Sequence, residues 1–125
     1  MSIFARQQWS TERSRSGQTI PIDADVRIAA TGPLTHLCPV VDEVDEGRVT
    51  ITWQCNGATL ELHALAEYLR GFKDARVSHE QITDRIGHDL SVVDGIELVS
   101  VESTWTTAGM EVRCVSTPTP ARVTP

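Results

Sequence analysis

Lysine is nearly missing from this 125-residue chain: Lys73 is the only one, and the other cationic side chains are arginines. Lys+Arg number 11 against 17 Asp+Glu, giving a formal charge of −6 and a pI near 5.1. No basic stripe runs along the sequence, which argues against a general phosphate-backbone binder, whose affinity comes from clustered cations. The acidic balance suits solubility and a small-molecule partner. Long apolar runs are also absent: nothing approaches the roughly 20 residues of a membrane span, so no membrane partner is expected. No Gly-rich phosphate loop is present. Cysteine is sparse and odd in number, at Cys38, Cys55 and Cys114. The opening from Met1 to Gln18 is polar, carries Arg6, Arg13 and Arg15, and lacks a secretory apolar core. Reduced thiols and a cytoplasmic location are therefore expected. The commonest role of any one such thiol is that of a small buried apolar residue.

What is there suffices for one folded domain, since 40% of the residues are hydrophobic. Residues 1–22, rich in Ser, Gln, Thr and Arg, read as a flexible arm. Residues 116–125, with Pro118, Pro120 and Pro125, read as a loose tail, leaving 23–115 as the domain. Val26, Ile28 and Ala30 alternate as in a strand, which Gly32-Pro33 is expected to end. Val49, Ile51 and Trp53 alternate with Thr50 and Thr52 in a clearer strand, and Asn56-Gly57 marks a turn. Leu62, Leu65, Leu69 and Phe72 recur at helical spacing, predicting a helix over Thr59–Arg70 with Gly71 as its terminator. Ser78 and Gln81 form a capping-box pattern that predicts a second helix over Ser78–Val92. Ile96 to Trp105 and Met110 to Cys114 read as strands around an Ala108-Gly109 turn, with Met110 and the tryptophans expected in the core. The order strand, strand, helix, helix, strand, strand predicts an α+β layer: a four-stranded antiparallel sheet with both helices on one face. Its two open edges invite pairing with another copy, so a homo-oligomer is expected.

Three clusters carry possible chemistry. The first is Thr35-His36-Leu37-Cys38-Pro39, with Asp45 seven residues beyond the cysteine. A loop cysteine at the mouth of a pocket can attack an electrophile as the thiolate, and Asp45 could move a proton to or from the reacting group. The second is Glu61-Leu62-His63 at the start of the first helix. The third is His79-Glu80 in the first turn of the second, where unpaired N–H groups favour a carboxylate. A fixed Glu80 could accept two N–H bonds from a guanine-like edge. Against these stand plainer roles. Asp45 could be a turn residue in an acidic stretch, Glu80 a helix-dipole residue, and His36 and His63 packed or solvated histidines.

The ordered set Cys38-Pro39, Asp45, Glu61, Tyr68-Leu69 and His79-Glu80 resembles the nitrile reductase family of queuosine biosynthesis, QueF, over Val26 to Cys114. The resemblance implies a T-fold, or tunnelling fold. In it subunits join their sheets into a barrel, as a pentamer or decamer, with active sites at subunit interfaces. It implies that Cys38 adds to the nitrile of 7-cyano-7-deazaguanine to give a covalent thioimide, with Asp45 as proton donor and His79 near the reacting carbon. Glu80 would hold the pyrimidine edge, and Glu61 with Leu62 would open a substrate-binding motif. That helix motif reads roughly Glu-Ser-Lys-Ser-Leu-Lys in the reductases, where its lysines are associated with NADPH. Here it reads Glu61, Leu62, His63, Ala64, Leu65, Ala66. The missing cations resemble the QueF-like branch, which needs no cofactor and uses ammonia to convert the nitrile to an amidine in nucleic acid, as in archaeosine formation.

NADPH-dependent reduction is the alternative, with Arg70, Lys73 and Arg76 as substitute phosphate contacts. The substrate would be the free base, or the same base within tRNA or DNA. Two further alternatives are a zinc-dependent T-fold cyclohydrolase and a non-catalytic binding protein that keeps the fold. The first would draw on His36, Cys38, Cys114 or His79, but no paired-ligand spacing supports it, so no metal is expected.

Overall fold

A computed structural model describes residues 18–118. The strands are β1 (Thr19–Pro21), β2 (Arg27–Leu37), β3 (Val44–Cys55), β4 (Ala58–Leu60), β5 (Ile96–Thr107) and β6 (Met110–Ser116). The helices are α1 (Leu62–Arg70) and α2 (His79–Ser91), lying between β4 and β5. The main sheet is antiparallel in the order β2-β3-β5-β6, and β1 pairs with β4 in a separate two-stranded sheet. The expected α+β layer is therefore present, with the β1–β4 ribbon added to it.

The alternation read from the sequence sets the buried face. Val49, Ile51 and Trp53 of β3 and Val101 and Trp105 of β5 point inward with Leu34 of β2. Leu65 and Leu69 of α1 and Ile82, Ile86 and Leu90 of α2 close over them. Truncating one of these to Ala would cost about 2–5 kcal/mol through lost burial and the cavity left behind. Both tryptophans that fall in this region, Trp53 and Trp105, are core residues, whereas Met110 at the β5–β6 turn is exposed. Trp9 lies outside the described residues.

Three boundaries differ from expectation, for reasons that matter to the site. First, β2 does not end at Gly32-Pro33 but continues to Leu37. It is an edge strand, where a residue without a backbone N–H breaks no ladder bond on the open side. Second, α1 begins at Leu62 rather than Thr59, because Ala58–Leu60 pair with β1 and Glu61 is the extended N-cap. Third, β3 starts early, at Val44, which puts Asp45 on a strand and not in the expected loop or turn. Ser78 caps α2 with the expected capping box. The β5–β6 hairpin turns on Ala108 and Gly109, at φ 53° and 77°, the left-handed pair that a tight turn between twisted strands needs.

Of the arm expected over 1–22, residues 1–17 lie outside the described residues, and the remainder is built into the fold. Gln18 is buried and its carbonyl accepts from the Glu61 N–H, while Thr19–Pro21 form β1. At the other end Ser116 closes β6, and the rest of the expected tail beyond residue 118 lies outside the described residues. No helix among the described residues is long and apolar enough to cross a membrane.

Candidate functional site

The extension of β2 builds the site. His36 and Asp45 are cross-strand partners near the end of the β2–β3 hairpin, so the register itself sets them side by side. Cys38 follows immediately as the first residue of the connecting loop, which its own N–H closes by donating to the Glu43 carbonyl at 2.9 Å. The chain then returns past the same corner. The Leu37 N–H donates to the Ala75 carbonyl, and the Val77 N–H donates to the Leu37 carbonyl. This short parallel bridge pins the segment before α2 to the open edge of β2. It delivers Ser78 and His79 beside His36. Arg76 fastens the corner by donating from Nη1 to the Cys38 carbonyl at 2.9 Å and pairing with Asp42.

His36 is fully buried, so its ring nitrogens need partners. Nδ1 lies 2.9 Å from the Leu37 carbonyl, and Nε2 lies 2.8 Å from His79 Nδ1. A carbonyl only accepts, which assigns the proton to His36 Nδ1. His79 Nε2 reaches the Thr107 hydroxyl at 2.7 Å, and its ring stacks on Trp105 at 4.3 Å with a 13° interplanar angle. Desolvation first, and then the neighbouring His36, hold the His79 pKa below its ordinary value of 6.5. Asp45 approaches the same point, its Oδ2 3.8 Å from His36 Nε2.

The stack has its own support. The Trp105 indole N–H donates to the Ser103 hydroxyl, which is paired with Thr83 at 2.6 Å, and the Thr83 hydroxyl donates to the His79 carbonyl. A chain of buried hydrogen bonds thus runs from the ring under His79 to its backbone. Across the sheet Gly47 leaves the room that the indole fills. A Cβ there would run into the Thr104 carbonyl and the Trp105 ring.

Of the residues singled out in the sequence, the fold brings Asp45 and His79 together through His36. Cys38 lies two residues beyond His36 along the chain and is half-buried, with its Sγ accepting from the Val40 N–H at 3.5 Å. Glu80 is exposed and lines a cleft of about 500 Å³ with Asp84, Arg113 and Cys114, along β6, the edge strand opposite β2, which ends just before Cys38. Glu61 sits at the other helix start. Its two carboxylate oxygens accept from the His63 and Ala64 N–H groups, and these backbone bonds lower its pKa below the ordinary 4.5. Leu62 beside it is exposed. His63 and Ala66, at the positions where the resemblance leads one to expect lysine, both face solvent.

Sequence reasoning missed Thr107, the ring stack of Trp105, and the pairing of His36, which it read as a packed or solvated histidine or one of several conceivable zinc ligands. Packed it is, but against His79 and Asp45. The spacing of His36 and Asp45 around a short loop was the only available signal of a cross-strand pair. The three donors His36, Asp45 and His79 have ligand atoms within 4.8 Å of one another. No sequence spacing announces that group, because its third member arrives from another element, beyond β3 and α1.

The family model described as QueF-like protein matches residues 45–118. An NADPH-dependent 7-cyano-7-deazaguanine reductase of Rhodopirellula baltica is 35% identical over 75 residues, covering 60% of this chain and 62% of that protein. A protein of the same name from Chlorobium luteolum is 30% identical over 88 residues, covering 70% of this chain and 76% of its own. Among solved structures, the apo form of the archaeosine synthase QueF-Like superposes with a TM-score of 0.66 at 18% identity, covering 75% of this chain and 94% of that one. The likeness in fold identifies the α+β layer as a T-fold. The chain belongs to the QueF-like family.

Proposed function

We propose that this protein acts on the nitrile of 7-cyano-7-deazaguanine through a covalent thioimide on Cys38, and that ammonia then converts the thioimide to an amidine. The observation that carries the first half is the corner where β2 ends. A half-buried thiol there shares one hairpin with Asp45, and His79 is brought in by the strand-edge bridge.

In the first step the Cys38 sulfur bonds to the nitrile carbon, one carbon–nitrogen π bond breaks, and the nitrogen takes a proton. The net source of that proton is the thiol, with Asp45 as its carrier. His79, held neutral by its buried setting, accepts or donates a hydrogen bond without adding charge. In the second step ammonia attacks the same carbon, the C–S bond breaks and the sulfur regains its proton. No electrons are gained or lost, so no redox cofactor is required. Glu80 at the α2 N-terminus anchors the two N–H donors of the pyrimidine edge. The expected homo-oligomer, through the open edges β2 and β6, would bring one copy's Glu80 cleft toward another copy's Cys38 corner.

What favours ammonia over hydride is α1: His63 and Ala66 leave its exposed face without the cations that the reductases use. The reductive reading draws on the sequence relatives, which are named NADPH-dependent reductases. In that case two hydrides, with their protons, would replace ammonia and give the aminomethyl product.

Intact mass after mixing with free 7-cyano-7-deazaguanine tests the shared step. An adduct is expected in the wild type and none in Cys38→Ala. Absence of an adduct where the ligand demonstrably binds would overturn the thioimide. Adding ammonia with a cyano-deazaguanine-bearing tRNA or DNA, or NADPH with the free base, then chooses between fates. Turnover with NADPH would overturn the non-reductive reading.

A further inference from the structure

We infer that His36, Asp45 and His79 form a binding site for a divalent transition-metal ion of borderline softness, such as Zn²⁺ or Co²⁺. The site rests on side-chain geometry and stands whichever fate the nitrile meets.

The nitrogens that face away from the cluster are already held. A histidine that ligates a metal usually has its other nitrogen fixed by a hydrogen bond, which sets the tautomer and aims the ring. Both rings here are aimed in this way, and at His36 the carbonyl sets the tautomer as well. His36 Nδ1 donates to the Leu37 carbonyl, and His79 Nε2 is held by the Thr107 hydroxyl. The atoms left over, His36 Nε2 and His79 Nδ1, converge with the Asp45 carboxylate within 4.8 Å.

Without a cation this convergence is electrostatically incomplete. With its proton on Nδ1, His36 presents a bare Nε2 lone pair to the cluster. His79 Nδ1–H can donate to that lone pair, but Asp45 Oδ2, 3.8 Å away, then faces it with no hydrogen between them. Asp45 makes no hydrogen bond through its carboxylate among the described residues, although only 13% of the side chain is exposed. A cation at the centre satisfies all three groups together.

The switch releases no proton. Thr107's hydroxyl can donate to or accept from His79 Nε2, so the ring moves its own proton from Nδ1 to Nε2 and turns a lone pair inward. Zn–N bonds of about 2.0–2.1 Å in tetrahedral geometry put neighbouring ligand atoms about 3.3 Å apart. The two nitrogens stand at 2.8 Å, so they need to open by only about half an ångström. Two imidazoles and one carboxylate select Zn²⁺, Co²⁺ or Ni²⁺ over Mg²⁺ or Ca²⁺. Three protein ligands leave a fourth position for water or an incoming ligand. Because the ion takes the groups proposed to serve the nitrile, occupancy and thioimide formation exclude one another.

The test uses the full chain, treated with chelator and titrated with Co²⁺, then with competing Zn²⁺. The expected result is one equivalent bound, the visible bands of four-coordinate Co²⁺, and the same spectrum in Cys38→Ala. Thr107→Val should weaken binding about 10–100-fold by releasing His79, as loss of a supporting hydrogen bond does at other metal sites. Asp45→Asn, at the least buried member of the cluster, should weaken it at least as much. His36→Gln should abolish it, with circular dichroism confirming the fold; if that variant does not fold, Asp45→Asn and Thr107→Val decide. No Co²⁺ binding by the wild type would overturn the site. So would affinity unchanged in Asp45→Asn and Thr107→Val, or a thiolate charge-transfer band that disappears with Cys38.

Discussion

The two helices start alike and end up differently employed. Each has a glutamate at its N-terminus, where free backbone N–H groups attract an acceptor. At α1 the glutamate is itself the cap, and both oxygens of Glu61 are taken by His63 and Ala64. At α2 the cap is Ser78, with Gln81 returning the bond. Glu80, two residues along, is left with no hydrogen bond or ion pair from its side chain among the described residues. One carboxylate is taken up by the fold and the other is not. A residue's type and its place in the first turn do not separate the two. What separates them is whether another side chain has already done the capping.

The largest effect that could break this contrast is on ligand binding. Glu80→Ala should lower affinity for 7-cyano-7-deazaguanine by at least roughly 100-fold, since hydrogen bonds to a charged group contribute about 1.5–3 kcal/mol each. Its thermal midpoint should move little, since an exposed carboxylate in a first helical turn contributes at most about 1 kcal/mol. Calorimetric titration and a melt on the same variant measure both. Unchanged affinity would return Glu80 to the role of a helix-dipole residue.

Next in size is Ser78→Ala, which removes the serine side of the capping box. It should cost about 1 kcal/mol of stability, read from the urea midpoint at constant slope. The smallest effect is the most specific to Glu61. Its folded pKa is depressed, so its contribution is present above the ordinary value of 4.5 and fades as the pH falls through the lower folded value. Glu61→Gln should therefore lie below the wild type in stability at neutral pH and converge with it in acid. Parallel curves for Glu61→Gln and the wild type would dissolve the distinction.

The layer, the two helices and the inward faces of β3 and β5 were legible because they rest on local periodicity and on one capping box. The β1–β4 ribbon was not. Three-residue strands carry no period, and Ala58–Leu60 borders a helical pattern that absorbed it. Gly32-Pro33 misled because its meaning depends on which strand is an edge, and strand order is a tertiary fact. Cys38 and Asp45 were legible as one hairpin's worth of sequence. Their link to His79 was not, since it depends on the Leu37 bridge to the segment around Arg76. Tyr68 and Asp89 make the same point. Their 2.6 Å hydrogen bond, joined by Arg85, ties α1 to α2 across the core, and nothing in either helix's pattern foretells it.

The ring stacked beneath His79 also gives the protein an optical readout of its own site. An imidazolium quenches an adjacent indole far more than a neutral ring does. Trp105 emission should therefore dim as the solution is acidified past His79, on the acid side of 6.5. Trp53, bonded to Thr59, and Trp9 emit as well, so a Trp105→Phe variant isolates the signal. A ligand or a cation that re-aims His79 would shift the same signal, with no label attached.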